Sequence, residues 1–306
     1  MGAVSIGKGV ANSPARAGVL AGLAAYTLWG FFPLYFHTLR SVAALDVLAW
    51  RIVLSCVLLG GVMLAWRGPR ALLASVWPLR QWPLVLAAAA VISINWLVFI
   101  VAIAQGEVLQ SSLGYFLVPL VNSLLGILVF GERPDRWKIA SFVLAGCGMA
   151  ASFLVAGVLP WYSLILAASF GVYGMLRKRM SLDSTTGLLL ETVLLAPIAL
   201  AWVLFAAQPL AAHAEGTRHW LLLSGAITLG PLLLMGFAAR RIELGMLGVL
   251  QYIAPVMHFA LAVTVFGEAL DTARTIAFAT TVAAVGLWLV GAFSGRARAG
   301  TGESKI

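Results

Sequence analysis

Two ionisable side chains stand inside long apolar runs: Arg51, within 45–66, and Glu191, within 187–207. A charge surrounded by Leu, Val and Ile is costly where water is excluded and is a functional candidate by default. Arg51 carries a planar fork of donors that suits a carboxylate; pairing with Asp46 or reaching outward to water are the structural alternatives. Glu191 can take up and release a proton, against the plainer role of anchoring or capping the end of its helix. Two prolines, Pro119 and Pro255, mark further special places. Each removes the hydrogen bond to the carbonyl four residues back, here those of Tyr115 and Gln251. At about 100° per residue, Ser111, Ser112, Tyr115, Pro119, Asn122, Ser123 and Gly126 share one stripe of a helix. Gly248, Gln251, Tyr252, Pro255, His258, Phe259 and Ala262 share another.

Other runs offer matching surfaces. Tyr26 and Trp29 fall on a stripe with Gly22, Gly30, Pro33 and His37; Asn95, Trp96 and Phe99 lie within one face; Tyr162, Ser169, Phe170, Tyr173 and Arg177 form a third set. Aromatic walls with a few amides and hydroxyls suit a planar or amphipathic organic solute. A pore for bare ions would need rings of carbonyls or carboxylates. The expected substrate-binding set is therefore Tyr26, Trp29, Arg51, Asn95, Trp96, Phe99, Ser112, Tyr115, Asn122, Tyr173, Gln251, Tyr252 and His258, with helix breaks at Pro119 and Pro255. Helix packing is the alternative role for the same stripes, since Ser, Gly and Asn also join helices in lipid.

Other chemistries find little support. The four His are scattered without metal-ligand spacing, and no G-x-x-x-x-G-K-[ST] loop is present, so neither a metal nor a cofactor is expected. Cys56 and Cys147 lie in apolar runs and read as small packing residues. No convergent His, carboxylate and Ser set argues for an enzyme. Glu132 and Glu268 each follow Phe-Gly at the end of a run; they read as architectural, capping the helix that comes next.

The elements that must position these residues follow from composition. Hydrophobic residues make up 62% of the 306-residue chain and charged ones 10%, against roughly 45–50% and 25% in soluble proteins. A soluble globule cannot hide that much apolar surface. The net charge of +9 comes without a clustered basic face, so nucleic acid is not an expected partner. A spanning helix needs about 20 apolar residues, and ten stretches qualify: 18–37, 45–66, 83–104, 108–130, 139–157, 160–176, 187–207, 220–239, 245–266 and 274–294. Their patterning is helical rather than alternating, which excludes a lipid-facing barrel. The first, long and rich in aromatics, reads as a retained anchor rather than a cleaved signal. With the N-terminus inside, sixteen of the 20 Lys and Arg fall in cytoplasmic segments and three outside, with Arg51 in a span. That bias puts both termini in the cytoplasm.

The chain also repeats itself. Glu107–Asp135 aligns without gaps on Glu243–Asp271 at an offset of 136, matching Glu107/Glu243, Pro119/Pro255, Phe130/Phe266, Gly131/Gly267, Glu132/Glu268 and Asp135/Asp271 among others. A repeat of five spans places the second copy upside down, as in carriers that expose one central site alternately to each face. The expected fold is an all-α membrane protein of ten transmembrane helices in two inverted five-helix repeats, 18–157 and 158–294. Cytoplasmic tails at 1–17 and 295–306 flank them. Small residues at 145–152 and at Ala283, Ala284, Gly286 and Gly291 either join the two halves or form a homodimer.

Duplicated five-helix halves ending in Phe-Gly-Glu resemble the EamA family of the drug/metabolite transporter superfamily. Several strings are similar to its RarD branch: Asn95-Trp96 with Phe99-Ile100, Ser112-Leu-Gly-Tyr-Phe116 before Pro119, Tyr173-Gly174 with Arg177-Lys178, Glu191-Thr192 before Pro197, and Gln251-Tyr-Ile before Pro255. The resemblance runs from Gly18 to about Ala292. Val118 stands where the branch usually has Asn, and Val101-Ala102 where it usually has Trp-Ala. The resemblance implies ten helices, residence in the inner membrane, and export or exchange of a small metabolite. Combined with the stripes, it gives a secondary transporter of a small organic solute, an amino acid or an amphipathic drug-like compound, working by alternating access within the lipid bilayer. The alternatives are a membrane sensor or accessory protein without net flux, and a polytopic lipid-modifying enzyme.

Overall fold

The computed structural model describes residues 13–76 and 81–301, all of them helix or connecting loop. The elements are α1 (Ser13–Gly30), α2 (Phe32–Thr38), α3 (Ala44–Val76), α4 (Trp82–Ala104), α5 (Val108–Phe130), α6 (Arg136–Ala156), α7 (Trp161–Arg179), α8 (Ser184–Phe205), α9 (Glu215–Ala239), α10 (Leu244–Leu250), α11 (Ile253–Thr264) and α12 (Thr272–Thr301). Among the described residues, nine helical stretches are long and apolar enough to cross a membrane. The remaining expected span, 160–176, is present as α7, a 19-residue helix made more polar by Arg177, Lys178 and Arg179 in its last turn. Large apolar side chains face outward; Phe205 is 87% exposed and Leu154 79%. Such residues need a hydrocarbon solvent, so this is a multi-pass membrane protein. Of the expected tails, residues 1–12 and 302–306 lie outside the described residues.

Two expected spans are not single rods. The first breaks at Phe31 into α1 and α2, and Pro33 sits at the start of α2. Lacking an N–H, Pro33 leaves the Trp29 carbonyl without its helical donor. The ninth breaks at Gln251–Tyr252 into α10 and α11, with Pro255 in the first turn of α11. Its repeat counterpart α5 instead runs unbroken through Pro119. The second span continues past its expected end because α3 turns sharply at Gly68 and carries on.

The two halves interleave. Helices of the first half pack on helices of the second: α1 on α9, α3 on α8 and α9, α4 on α7, α5 on α7 and α11, and α6 on α12. Equivalent helices run in opposite directions. Glu268, just beyond α11, bonds the amides that begin α5. Trp137 at the start of α6 lies against Gly291 late in α12. The small-residue stripes of α6 and α12 are used here: a Cβ at Gly148 would overlap Thr280, so only Gly lets these helices approach this closely. Both Phe-Gly-Glu corners end their helices in a left-handed glycine, Gly131 (φ 68°) and Gly267 (φ 66°).

The expected capping by the following glutamates needs correction. Asp135 and Asp271 cap the next helices, accepting from the amides of Trp137 and Lys138 and of Arg274 respectively. A short Asp one residue before the helix reaches those amides; the glutamates lie three residues further back and turn elsewhere.

Candidate functional site

Two backbone carbonyls anchor side chains at the centre of the bundle. The Trp29 carbonyl, orphaned by Pro33, accepts a hydrogen bond from His258 Nε2 at 3.0 Å, across the halves. A carbonyl only accepts, so Nε2 carries the proton and Nδ1 of the neutral ring is an acceptor. His258 is 2% exposed, and its Nδ1 is buried without a partner among the described residues. The ring lies 5.6 Å from Phe99 and 5.9 Å from Tyr115. Ser112 Oγ donates to the Pro255 carbonyl at 2.8 Å, so the two proline-bearing helices α5 and α11 are tied together beside the histidine.

Asn95 extends the cluster into α7. Its Nδ2 donates to Ser169 Oγ (2.9 Å) and to the Leu166 carbonyl (3.1 Å), and its Oδ1 accepts from Tyr115 OH (3.3 Å). This fully engaged amide fixes where the phenol of Tyr115 points. Phe170 packs edge-on to Tyr115 at 5.9 Å. Tyr252 stacks on Phe116, and its hydroxyl is buried with no partner among the described residues.

Arg51 adjoins this cluster through Phe36. It is 4% exposed. Its Nε donates to Thr228 Oγ1 at 2.7 Å, and its guanidinium lies 4.4 Å from the Trp96 ring centre and 5.5 Å from that of Phe36, which itself packs edge-on to Phe99 at 5.7 Å. Both structural alternatives for Arg51 are overturned. Its side chain is buried rather than extended to the surface, and it does not pair with Asp46, whose carboxylate accepts from Trp202 Nε1 (2.9 Å) and the Gln208 amide (3.2 Å). Asp46 sits more than a helical turn before Arg51 and faces α8, so the two side chains diverge. Among the described residues, no carboxylate lies within ion-pair distance of Arg51. A buried cation held by one hydroxyl and aromatic faces has donors left for an anion.

Glu191 belongs to a separate polar knot. It is fully buried, pairs with Arg177 at 3.3 Å, and accepts from Tyr173 OH at 3.1 Å. It caps no helix: it lies about two turns into α8 and faces α7. Asp183 is the cap of α8.

The remaining expected residues divide. Tyr26 packs against Trp29 at 5.3 Å, at the edge of the cluster. Asn122 sits lower on α5 beside Gly171 and Gly174, away from His258. Gln251 forms the α10–α11 break, where its amide bonds the Leu247 carbonyl, and it is half-buried. Its side chain makes no hydrogen bond with the cluster. Thr228, the hydroxyl that accepts from Arg51 Nε, is not among the residues expected from the sequence. A lone Thr in an apolar helix carries no signal, because it can satisfy itself on its own helix, as Thr228 also does on Ser224. Arg177 shares a stripe with Tyr173 in the sequence, but its pairing with Glu191 depends on how α7 lies against α8.

Comparison with known proteins identifies the family of the chain. The EamA-like transporter family matches residues 16–154. An uncharacterized transporter of Pseudomonas aeruginosa is 38% identical over 279 residues, covering 88% of this chain and 92% of that protein. An uncharacterized transporter of Bacillus subtilis, YojE, is 37% identical over 90% of this chain and 94% of its own. Protein RarD of Escherichia coli is 36% identical over 90% of this chain and 95% of its own. One crystal structure shares the fold with a TM-score of 0.55 at 22% identity, covering 88% of this chain and 96% of that one. With its interleaved membrane-spanning helices and these relatives over nearly its full length, the chain belongs to the EamA-like transporter family, in its RarD branch.

Proposed function

We propose that this transporter carries a small organic solute bearing a carboxylate, an amino acid or an amphipathic acid, by alternating access through the buried cluster between α1, α3, α4, α5 and α11. The observation that carries the reading is a buried cation and a buried, unpartnered imidazole nitrogen set against one group of aromatic rings. Among the described residues, the Arg51 guanidinium has no carboxylate partner and His258 Nδ1 is buried without a hydrogen-bond partner. One calls for an anion and the other for an N–H, ammonium or hydroxyl donor. Phe99 packs on Tyr115 at 5.8 Å and joins His258 to Phe36, a ring beside the Arg51 guanidinium. The inverted halves, 18–157 and 158–294, would rock about this cluster with both termini in the cytoplasm. Glu191, tied to Tyr173 and Arg177, is the proton carrier in this scheme.

Counterflow in proteoliposomes tests it. A panel of labelled amino acids, aromatic acids and amphipathic cations is exchanged by wild type, Asn95→Ala and Tyr115→Ala. Saturable exchange of an acid, lost in both variants, supports the site. Exchange of cations alone, or exchange that survives both substitutions, refutes it.

A further inference from the structure

Four charged positions recur at the offset of 136 that relates α5 to α11: Glu107/Glu243, Glu132/Glu268, Asp135/Asp271 and Lys138/Arg274. The aspartates do the same work in both copies, as N-caps of α6 and α12. The other three pairs do not. At one face, outside by the Lys/Arg count, Glu268 accepts from the amides of Val108 (2.6 Å) and Leu109 (2.9 Å), and Arg274 pairs with Glu107 at 3.0 Å. Two anions and a cation thus clamp the start of α5 to the corner between α11 and α12.

At the opposite face the same parts are present and unassembled. Lys138, the counterpart of Arg274, turns back to Glu132 at 3.6 Å, and Glu132 also meets Lys178 at 3.7 Å. Glu243, the counterpart of Glu107, is exposed and makes no ion pair among the described residues. Helix packing shows the same imbalance, since α5 lies along α7 while α11 meets α1 over a shorter stretch. Corresponding charges are thus joined on one side and separate on the other. They distinguish two arrangements of one duplicated device.

We propose that these clusters are reciprocal latches. In the opposite end state, Glu268 releases α5 and Arg274 releases Glu107, while Lys138 swings from Glu132 to Glu243 and closes the inner face. Glu132 would then stand toward α10 as Glu268 now stands toward α5. The exchange trades one ion pair and its neighbours for another of the same kind, so the two end states stay close in energy, as a carrier needs. The inference rests on the transporter family and the repeat, not on the identity of the central site, and its test needs no substrate.

Double electron–electron resonance on the full chain in lipid nanodiscs provides that test, in a background carrying Cys56→Ala and Cys147→Ala. One label pair, Ala104→Cys with Ala269→Cys, reads the outer face. A second, Arg133→Cys with Arg240→Cys, reads the inner face. In the parent, the fraction of long outer distances should equal the fraction of short inner ones. Glu268→Ala with Arg274→Ala should enrich the long outer and short inner populations together, and adding Glu243→Ala should abolish the inner shortening. The charge swap Glu107→Arg with Arg274→Glu should restore the parent distribution. Unequal fractions in the parent overturn the proposal. So does outer opening without inner closing, or no change in either pair with circular dichroism unaltered.

Discussion

Replacing Arg51 by Met separates a ligand-binding cation from a structural one. The substitution keeps length and most of the volume and removes the charge. It loses a charge-assisted hydrogen bond to Thr228 at 2.7 Å, worth about 1.5–3 kcal/mol. It also loses the cation over the Trp96 face at 4.4 Å, worth about 2 kcal/mol when desolvated. Against these stands the cost of holding a guanidinium out of water with no counter-ion, several kcal/mol by order of magnitude. Thr228 is not orphaned, since its hydroxyl still donates to the Ser224 carbonyl at 2.8 Å. The terms nearly cancel, and the fold should be unchanged to within about 1 kcal/mol. Ligand binding has no such compensation. Truncating one partner of a buried charge pair costs about 2–5 kcal/mol, which is a roughly 30- to several-thousand-fold loss of affinity. Thermal unfolding and acid counterflow, measured on one preparation, read the two effects. An unchanged melting temperature with counterflow lost is the expected result. A sharply lowered melting temperature, or counterflow within a few-fold of wild type, would refute the reasoning.

Three further outcomes are expected. Glu191→Gln should flatten the pH dependence of transport, and it should cost about 3 kcal/mol of stability because Arg177 loses its buried partner; a transport profile that still follows pH would remove Glu191 from the coupling scheme. Gly148→Val should force α6 from α12 and destabilise by about 1–3 kcal/mol, with partial recovery when Thr280→Ala is added; additive losses in a melting series would mean that the two residues do not press on each other. Burial raises the Asp183 carboxyl, but hydrogen bonds from Thr186 and Arg67 and the Arg67 charge outweigh it and hold the group below its ordinary value. A lowered folded-state value gives stability that is present above the unfolded-state value and lost as pH falls through the folded one. The melting-temperature gap between wild type and Asp183→Asn should therefore shrink on acidification, and a gap that widened would reverse the assigned direction.

Much of the architecture is written in composition and periodicity. A run of about 20 apolar residues must span or be buried, so the helices from 83–104 and 108–130 emerge almost residue for residue as α4 and α5. The offset of 136 is readable because a duplicated chain keeps its punctuation: a Pro, a Gly at positive φ, a Glu and a capping Asp. Helical stripes also placed Asn95, Tyr115, Ser112 and His258 on faces that do meet.

Contacts between distant helices needed the tertiary structure. Spacing cannot show that His258 takes the carbonyl freed by Pro33, because the two lie in different halves and their register depends on how α11 crosses α1. Nor can it show that Asp46 turns to α8 and leaves Arg51 beside Trp96, since a charge chooses its partner by what packs opposite. Nor does the repeat foretell that α10 and α11 part at Gln251 while α5 continues through Pro119, since the equivalent stretches meet different neighbours. For the same reason, one set of repeated charges is joined and the other apart: the sequence supplies both latches, and only the packing of the halves decides which is closed.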